Sequence, residues 1–168
     1  MAVDEKLQTV RHSCAHVMAE AILKLYPGTK IAIGPAIDNG FYYDFEFTKD
    51  TKFTETDFPA VEKEMRRIIA GNFDFVRNEV SKDEALKIFA DQPYKVELIN
   101  DLPDGETITT YQQDTYIDLC RGPHVANTKE INGQAFKLDK IAGAYWRGDS
   151  NRTMLTRVYA LCFSKPND

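Results

Sequence analysis

The stretch YIDLCRGPH, residues 116–124, constrains the fold of this chain more than any other. Alternation of side chains predicts a strand that places Tyr116, Asp118 and Cys120 on one face. Proline disfavours helical geometry in the residue before it, so the strand ends at the following Gly-Pro pair. Cys120 and His124 are therefore expected at a strand end and a turn, four positions apart.

A second pair of the same spacing lies near the N-terminus. Residues 4–26 carry apolar side chains at helical spacing and stop at a Pro-Gly pair, which predicts a helix. His12 and His16 are four positions apart and project from one face of that helix. All three histidines of the chain fall in these two windows. Because a helix face and a strand-to-turn corner can converge, we predict one shared site.

The shared site has the residue types of a zinc centre, since imidazole and thiolate are usual zinc donors. One cysteine and three histidines form the predicted set: His12, His16, Cys120 and His124. The alternative is that each histidine is a helix cap or a hydrogen-bonded polar residue of the core. The residues alone leave open whether zinc occupies the site.

The other segments predict an α+β fold with a largely antiparallel sheet packed with helices. We expect a hairpin over 30–47, with a short strand at 30–33 and a turn at Asp38-Asn39-Gly40. In its second strand, apolar and polar residues alternate, which puts Tyr43 and Tyr42 on opposite faces. Helices are predicted over 57–71 and 81–90, the second with a capping box formed by Ser81 and Glu84, and a helical turn or two over 93–100. Further strands are predicted at 73–80, 107–112, 115–120, 134–138, 141–146 and 154–163. Residues 1–168 are enough for a single domain.

The composition limits the class of protein. The net charge of −5 argues against a general nucleic-acid binder, which usually shows a basic face, but permits a local basic rim. Three cysteines do not suggest a disulfide framework, and Cys14 and Cys162 are expected to be core thiols. We see no signal peptide and no long apolar run, so we expect a cytoplasmic protein with no membrane contact.

Several charged residues have two interpretations. Asp118 either orients a histidine or holds an amine, or it is a solvated strand aspartate. Lys95 is an ordinary surface lysine unless the site recruits it. The same holds for three arginines: Arg121, Arg147 and Arg152.

Four runs of this chain resemble one known family. They are RHSCAH at 11–16, AIGPAIDNGFYYD at 32–44, DLCRGPH at 118–124 and AGAYWRGDSN at 142–151. In order, and over nearly the whole chain, they resemble the editing domain of bacterial-type threonyl-tRNA synthetase. The His/His and Cys/His pairs alone also resemble the alanyl-tRNA editing module.

The resemblance implies hydrolysis of serine from mischarged threonine tRNA by a single editing domain over residues 1–168. It implies six catalytic residues: His12, His16, Lys95, Asp118, Cys120 and His124. The related alanyl module binds zinc through this motif. In the threonyl family the pocket can work without a bound metal, with water positioned by side chains.

The resemblance also implies the partners, which are a tRNA 3′ end carrying serine and the rest of the synthetase. We expect the other synthetase domains to be absent, the isolated domain to be monomeric, and no ATP to be used. Whether the chain is an excised domain or a freestanding protein stays open. Arg121 and four aromatic residues are expected to bind substrate, with core packing expected for at least two of the four: Tyr42, Tyr43, Tyr145 and Trp146.

Two rival functions remain. A zinc-stabilised, non-catalytic RNA-binding module predicts tightly bound metal and no esterase activity. An alanyl-type trans-editing protein predicts removal of serine from alanine tRNA, and the runs around Asp38 and Trp146 argue against it.

Overall fold

A computed structural model describes residues 2–166 of the protein, with side chains from residue 5 onwards. Its helices are α1 (Ala2–Leu25), α2 (Phe58–Ala70), α3 (Lys82–Ile88) and α4 (Pro93–Asn100). Its strands are β1 (Lys30–Ile31), β2 (Ala36–Ile37), β3 (Gly40–Glu46), β4 (Val76–Val80), β5 (Ile108–Gln113), β6 (Tyr116–Leu119), β7 (Phe136–Tyr145) and β8 (Met154–Cys162). Short 3-10 turns lie at Glu55–Asp57, Thr128–Glu130 and Trp146–Gly148.

The strands form two sheets. The larger has the order β1-β3-β8-β7, with β2 also paired to β3, and the smaller has the order β4-β5-β6. Every pairing between these strands is antiparallel. The predicted α+β fold with antiparallel sheets is confirmed.

Helix α1 is the central element of the core. Met18 and Ile22 of this helix are fully buried in one cluster with Phe41 and Phe45 of β3. The helix ends at Leu25 because Pro27 and Gly28 follow, as predicted. Neither α1 nor any other helix within residues 2–166 has the length and apolar character needed to cross a membrane.

The smaller sheet has its own apolar cluster. Ala85 and Phe89 at the end of α3 pack with Ile99 of α4 and Ile108 of β5. The predicted capping box at the start of α3 is present, with the Ser81 hydroxyl accepting from the Glu84 amide. Residues 93–100, predicted as a helical turn or two, form the helix α4. This packing fixes α4 beside the strand β6.

The hairpin turn has the predicted conformation. Asn39 adopts a φ of 66°, a left-handed geometry that asparagine tolerates. A Cβ on Gly40 would lie 1.8 Å from the carbonyl oxygen of Ala160, so only glycine fits this close approach to β8.

Four strand predictions were wrong in their bounds. The strands predicted at 134–138 and 141–146 form one strand, β7. A register shift between Leu138 and Lys140 lets the strand continue past the polar residues there. The strand predicted from residue 73 begins at Val76, since Asp74 makes an isolated bridge to Asn127 instead. The strand predicted over residues 30–33 ends at residue 31.

The packing of α1 predicts a large difference between two aliphatic residues of the same helix. Ile22 has no exposed surface, whereas Leu25 is 39% exposed. Ile22→Ala should lower the free energy of unfolding by about 3 kcal/mol through lost burial and a residual cavity. Leu25→Ala should change it by less than about 0.5 kcal/mol. Urea midpoints of both variants measure the difference, and equal losses would contradict the assigned core.

Candidate functional site

The predicted site residues meet where α1, α4 and β6 come together. His12 and His16 lie on α1, and Lys95 lies in the first turn of α4. Strand β6 alternates buried and half-buried residues, which turns Tyr116 and Asp118 inward. The turn that follows β6 carries Cys120 and His124 back towards α1.

Glycine is required in that turn. Gly122 has a φ of 79°, a left-handed conformation that side chains disfavour. A Cβ there would lie 2.4 Å from the Tyr111 hydroxyl. The Gly122 N–H donates to the Cys120 sulfur at 3.2 Å, so the turn also positions the thiol.

The two predicted pairs form one cluster. Four donor atoms lie within 4.8 Å of one another, one from each of His12, His16, Cys120 and His124. The Cys120 sulfur lies 3.3 Å from Nε2 of His12 and 3.2 Å from Nε2 of His124. The shared site predicted from the spacing is therefore present in the fold.

Acceptor groups determine which ring nitrogen of two histidines carries the proton. Nδ1 of His12 lies 3.4 Å from the carbonyl oxygen of Pro123, and Nε2 of His16 lies 3.4 Å from a carboxylate oxygen of Asp118. These oxygens only accept hydrogen bonds, so both nitrogens are assigned as donors. Nε2 of His12 and Nδ1 of His16 are then bare. Nδ1 of His16 is buried and has no hydrogen-bond partner among the described residues.

This arrangement fits a zinc ion. Histidines that bind zinc usually donate the N–H of their second ring nitrogen to a carbonyl or carboxylate, and Nδ1 of His12 and Nε2 of His16 each lie 3.4 Å from such an oxygen. The residues that would hold the ion are His12, His16, Cys120 and His124. A bound zinc ion would act as a Lewis acid and lower the pKa of a bound water.

Burial sets the protonation of the cluster. It lowers the pKa of His12, and it lowers the pKa of His16 to about 3. Burial, together with the two neighbouring imidazoles, lowers the pKa of His124 far below its usual value. Burial also raises the pKa of the Cys120 thiol to about 11. Near neutral pH the site therefore holds three neutral imidazoles, each with a lone pair, and a thiol.

Asp118 lies at the bottom of the site with four polar neighbours. Its carboxylate is 2.7 Å from Nζ of Lys95 and accepts from the hydroxyls of Tyr43 at 2.7 Å and Tyr116 at 2.6 Å. Burial alone would raise the pKa of Asp118, but the charge of Lys95 and the hydrogen bonds from Lys95 and Tyr116 outweigh it and hold the pKa at about 2. The site therefore contains a buried, fully ionised carboxylate next to a buried ammonium.

A pocket of about 230 Å³ opens over these groups. Among the residues that line it are His12, His16, Lys95, Asp118 and Cys120. Gly34 and Pro35, from one of the four runs quoted above, line the same pocket. Drug-sized ligands usually occupy pockets of about 300–1,000 Å³, so this one suits a smaller polar group such as an amino acid.

Two larger grooves adjoin the pocket. One, of about 730 Å³, shares His12 and Pro35 with it. The other, of about 400 Å³, shares Cys120 and is lined by Arg121 and Arg147. The side chain of Arg121 is 84% exposed and forms an ion pair with Glu106 at 2.9 Å.

The predicted aromatic residues are divided between the surface and the core. Tyr42 and Tyr145 are accessible, and the Arg157 guanidinium lies 4.0 Å from the Tyr42 ring centroid. Tyr43 is 1% exposed and Trp146 is 3% exposed. The rings of these two are buried, in line with the core packing expected for at least two of the four, and of the two only Tyr43 lines the pocket, beside Asp118.

The three arginines expected to be ordinary surface cations unless the site recruits them form ion pairs with carboxylates. Arg147 and Arg152 both pair with Glu97, and Arg121 pairs with Glu106. Glu97 also accepts from the indole N–H of Trp146 at 3.0 Å.

Two polar residues of the site were missed by the sequence analysis as functional residues. Tyr116 was placed on the same strand face as Asp118, which was a sufficient signal for a contact between them. A serine inside a predicted helix gives no signal of a functional role, yet the Ser13 hydroxyl lies 3.0 Å from Nδ1 of His124.

Comparison with known proteins supports the resemblance. Residues 108–159 match the family described as threonyl and alanyl tRNA synthetase second additional domain. Over 164 residues the chain is 53% identical to a threonine–tRNA ligase of Rhodopseudomonas palustris, covering 96% of this chain and 24% of the relative. The chain is a homologue of one segment of the threonyl-tRNA synthetases.

Other threonyl-tRNA synthetases give the same result. The ligase of Rhizobium rhizogenes is 52% identical over 167 residues, covering 98% of this chain and 25% of the relative. A ligase of Dehalococcoides mccartyi is 53% identical over 157 residues, covering 94% of this chain and 26% of the relative. The chain thus spans about a quarter of the length of the curated synthetases it matches.

The buried ion pair predicts strong coupling between two substitutions. Lys95→Met leaves the Asp118 carboxylate unpaired in the core and should destabilise the protein by about 3–5 kcal/mol. The double variant Lys95→Met/Asp118→Asn should lose clearly less than the sum of the two single losses, because no isolated charge remains. Urea unfolding at neutral pH gives all three values.

The matched control is an exposed pair of the same chemistry. Lys82 and Asp104 lie 3.9 Å apart at the surface. The losses of stability caused by Lys82→Met and Asp104→Asn should be additive in the double variant, since exposed ion pairs contribute little to stability. Additive losses at Lys95 and Asp118 as well would contradict a direct interaction between them.

Proposed function

We propose that this domain hydrolyses the ester that joins serine to the 3′ end of threonine tRNA. The observation that carries the proposal is a single pocket that combines neutral imidazole bases with a buried aspartate–lysine pair. Identity of 52–53% to threonine–tRNA ligases over nearly the whole chain favours threonine tRNA over alanine tRNA as the substrate.

The substrate assignment follows from size. Serine is threonine without a methyl group, and a smaller amino acid enters any pocket that admits the larger one. A missing methylene changes selectivity by only about 1–3 kcal/mol, so a second, hydrolytic site is needed for accuracy. This is the general argument for editing by aminoacyl-tRNA synthetases, and a pocket of about 230 Å³ agrees with an amino acid as its occupant.

His12 is the proposed general base. Its bare Nε2 lies in the half-buried cluster, and its ring borders both the pocket and the larger groove. Nε2 takes a proton from a water molecule, and the water oxygen bonds to the ester carbonyl carbon. The bond from that carbon to the ribose oxygen then breaks, and the proton passes from His12 to the ribose oxygen.

The charged pair serves the two ends of the amino acid. Nζ of Lys95 provides a buried positive charge for the oxygen that becomes negative during attack. The Asp118 carboxylate provides the negative charge that attracts the substrate ammonium group. The hydroxyls of Tyr43 and Tyr116 hold the carboxylate in place.

The groove beyond Cys120 is the proposed path of the tRNA end. A chain with a net charge of −5 needs local cations to hold phosphates. Arg121 and Arg147 line this groove. The ion pair between Arg121 and Glu106 is exposed, so exchanging the carboxylate for a phosphate costs little.

The first test is deacylation by the isolated domain. At high domain concentration, seryl-tRNA of the threonine type should be hydrolysed and threonyl-tRNA spared. His12→Ala should lower the rate by at least about 100-fold, the usual contribution of a general base, without unfolding the domain. Release of labelled amino acid measures the rate, and circular dichroism checks the fold.

Each alternative has its own outcome. Equal loss of serine and threonine would contradict selective editing. Tightly bound zinc with no hydrolysis, and unfolding on chelation, would favour the non-catalytic RNA-binding module.

The second test separates binding from chemistry at Arg121. Arg121→Ala should raise the half-saturating domain concentration in single-turnover deacylation and leave the saturating rate unchanged. It should also reduce the slope of log affinity against log salt by about 1, as expected for one lost phosphate contact. The control is Arg77→Ala, which removes an arginine with a similar exposed ion pair on β4. A lower saturating rate with an unchanged half-saturating concentration would contradict a role for Arg121 in binding the tRNA end.

A further inference from the structure

Ser13 is a fully buried residue that joins α1 to the turn carrying His124. Its hydroxyl oxygen lies 2.8 Å from the carbonyl oxygen of Thr9 and 3.0 Å from the amide nitrogen of Val125. It also lies 3.0 Å from Nδ1 of His124. Three polar neighbours around one hydroxyl restrict where its proton can lie.

Counting protons gives one consistent arrangement. A serine hydroxyl has one proton to donate and two lone pairs to accept with. The Thr9 carbonyl only accepts, so it takes the hydroxyl proton, and the Val125 N–H occupies one lone pair. The remaining lone pair faces Nδ1 of His124, which must therefore carry a proton. If the hydroxyl donated to Nδ1 of His124 instead, the oxygens of Ser13 and Thr9 would face each other with no proton between them.

We propose that Ser13 is a positioning residue that fixes His124 in the tautomer protonated at Nδ1, with Nε2 bare. The catalytic consequence rests on the proposed function, whereas the tautomer itself does not. Nε2 of His124 then faces the Cys120 sulfur at 3.2 Å as an acceptor.

The tautomer decides whether the thiol proton of Cys120 can point away from His12. The sulfur has one proton and two bare nitrogens nearby, Nε2 of His124 at 3.2 Å and Nε2 of His12 at 3.3 Å. While His124 accepts the thiol proton, Nε2 of His12 stays free to take a proton from water. If His124 carried its proton on Nε2, it would donate to the sulfur, and the thiol proton would turn towards His12 and block the base.

The direct test is nitrogen NMR of the histidine rings in the free protein. Correlation spectra distinguish a protonated ring nitrogen from a bare one, and the chain has three histidines, so the signals are few. His124→Gln identifies the His124 signals by their loss. Native protein should show His124 protonated at Nδ1 and bare at Nε2. A native His124 protonated at Nε2 would overturn the proposal, whatever happens in deacylation.

The variant Ser13→Ala should shift His124 towards the other tautomer. Its control is Thr128→Val. Thr128 is fully buried, and its hydroxyl, like that of Ser13, contacts one backbone carbonyl and one backbone amide, but it contacts no histidine. Its Oγ1 donates to the Ile69 carbonyl at 3.0 Å and accepts from the Phe73 amide at 3.0 Å. Both variants lose a bridging hydroxyl, but only Ser13→Ala should change the His124 signals. An unchanged tautomer in folded Ser13→Ala would also overturn the proposal.

Deacylation supplies the second readout. Ser13→Ala should lower the saturating single-turnover rate by about tenfold or more and leave half-saturation unchanged, since the base is blocked for part of the time. Thr128→Val should leave both parameters unchanged. A tautomer change without a rate change would overturn the catalytic consequence. If native protein shows no deacylation, the proposed function fails, and the NMR result still decides the tautomer.

Discussion

The buried carboxylate of Asp118 is the group on which the arrangement of the site depends. An ionised carboxylate in the core is unfavourable unless hydrogen bonds and an opposite charge compensate it. Here the compensation comes from four different elements of the fold. Lys95 comes from α4, Tyr43 from β3, Tyr116 from β6, and His16 from α1. These contacts link a strand of each sheet, β3 and β6, with helices α1 and α4 around the pocket.

Helix α1 contributes to the core and to the site through different faces. Cys14, Met18 and Ile22 are buried in the apolar cluster, whereas His12 and His16 face the turn after β6. The four-residue spacing of the histidines keeps them on one side of the helix for a full turn. The stability of the core and the geometry of the site are therefore set by the same rigid element, which favours precise positioning over flexibility.

Local signals in the sequence were sufficient for much of this description. The Pro-Gly stop of α1, the turn at Asn39 and the capping box at Ser81 each act within a few residues, and the structure confirms all three. The convergence of the histidine windows was also predictable, because both spacings restrict side-chain direction. What the local pattern could not supply was the partner of Lys95, since burial of a lysine depends on a carboxylate 23 positions away in the chain.

Other features depend on packing across the fold. Alternation predicted that Tyr43 and Tyr42 lie on opposite faces of β3, but not which face α1 covers. Trp146 follows β7 and turns inward because Tyr94 and Glu97 of α4 offer it a stacking and a hydrogen-bonding partner. The role of Ser13 was equally inaccessible, because its third contact, to His124, spans 111 positions.

The proton count of the cluster explains why water, an ammonium group and zinc are all compatible with one pocket. Burial keeps the imidazoles of His12, His16 and His124 neutral, so each presents a lone pair. The nearby thiol of Cys120 supplies one proton, and Nδ1 of His16 lacks any partner within the described residues. A site with more acceptors than protons favours ligands that bring O–H, N–H or positive charge. The proposed hydrolysis of an aminoacyl ester would supply the first two, in the attacking water and the substrate ammonium group. A zinc ion would satisfy the same shortage of protons.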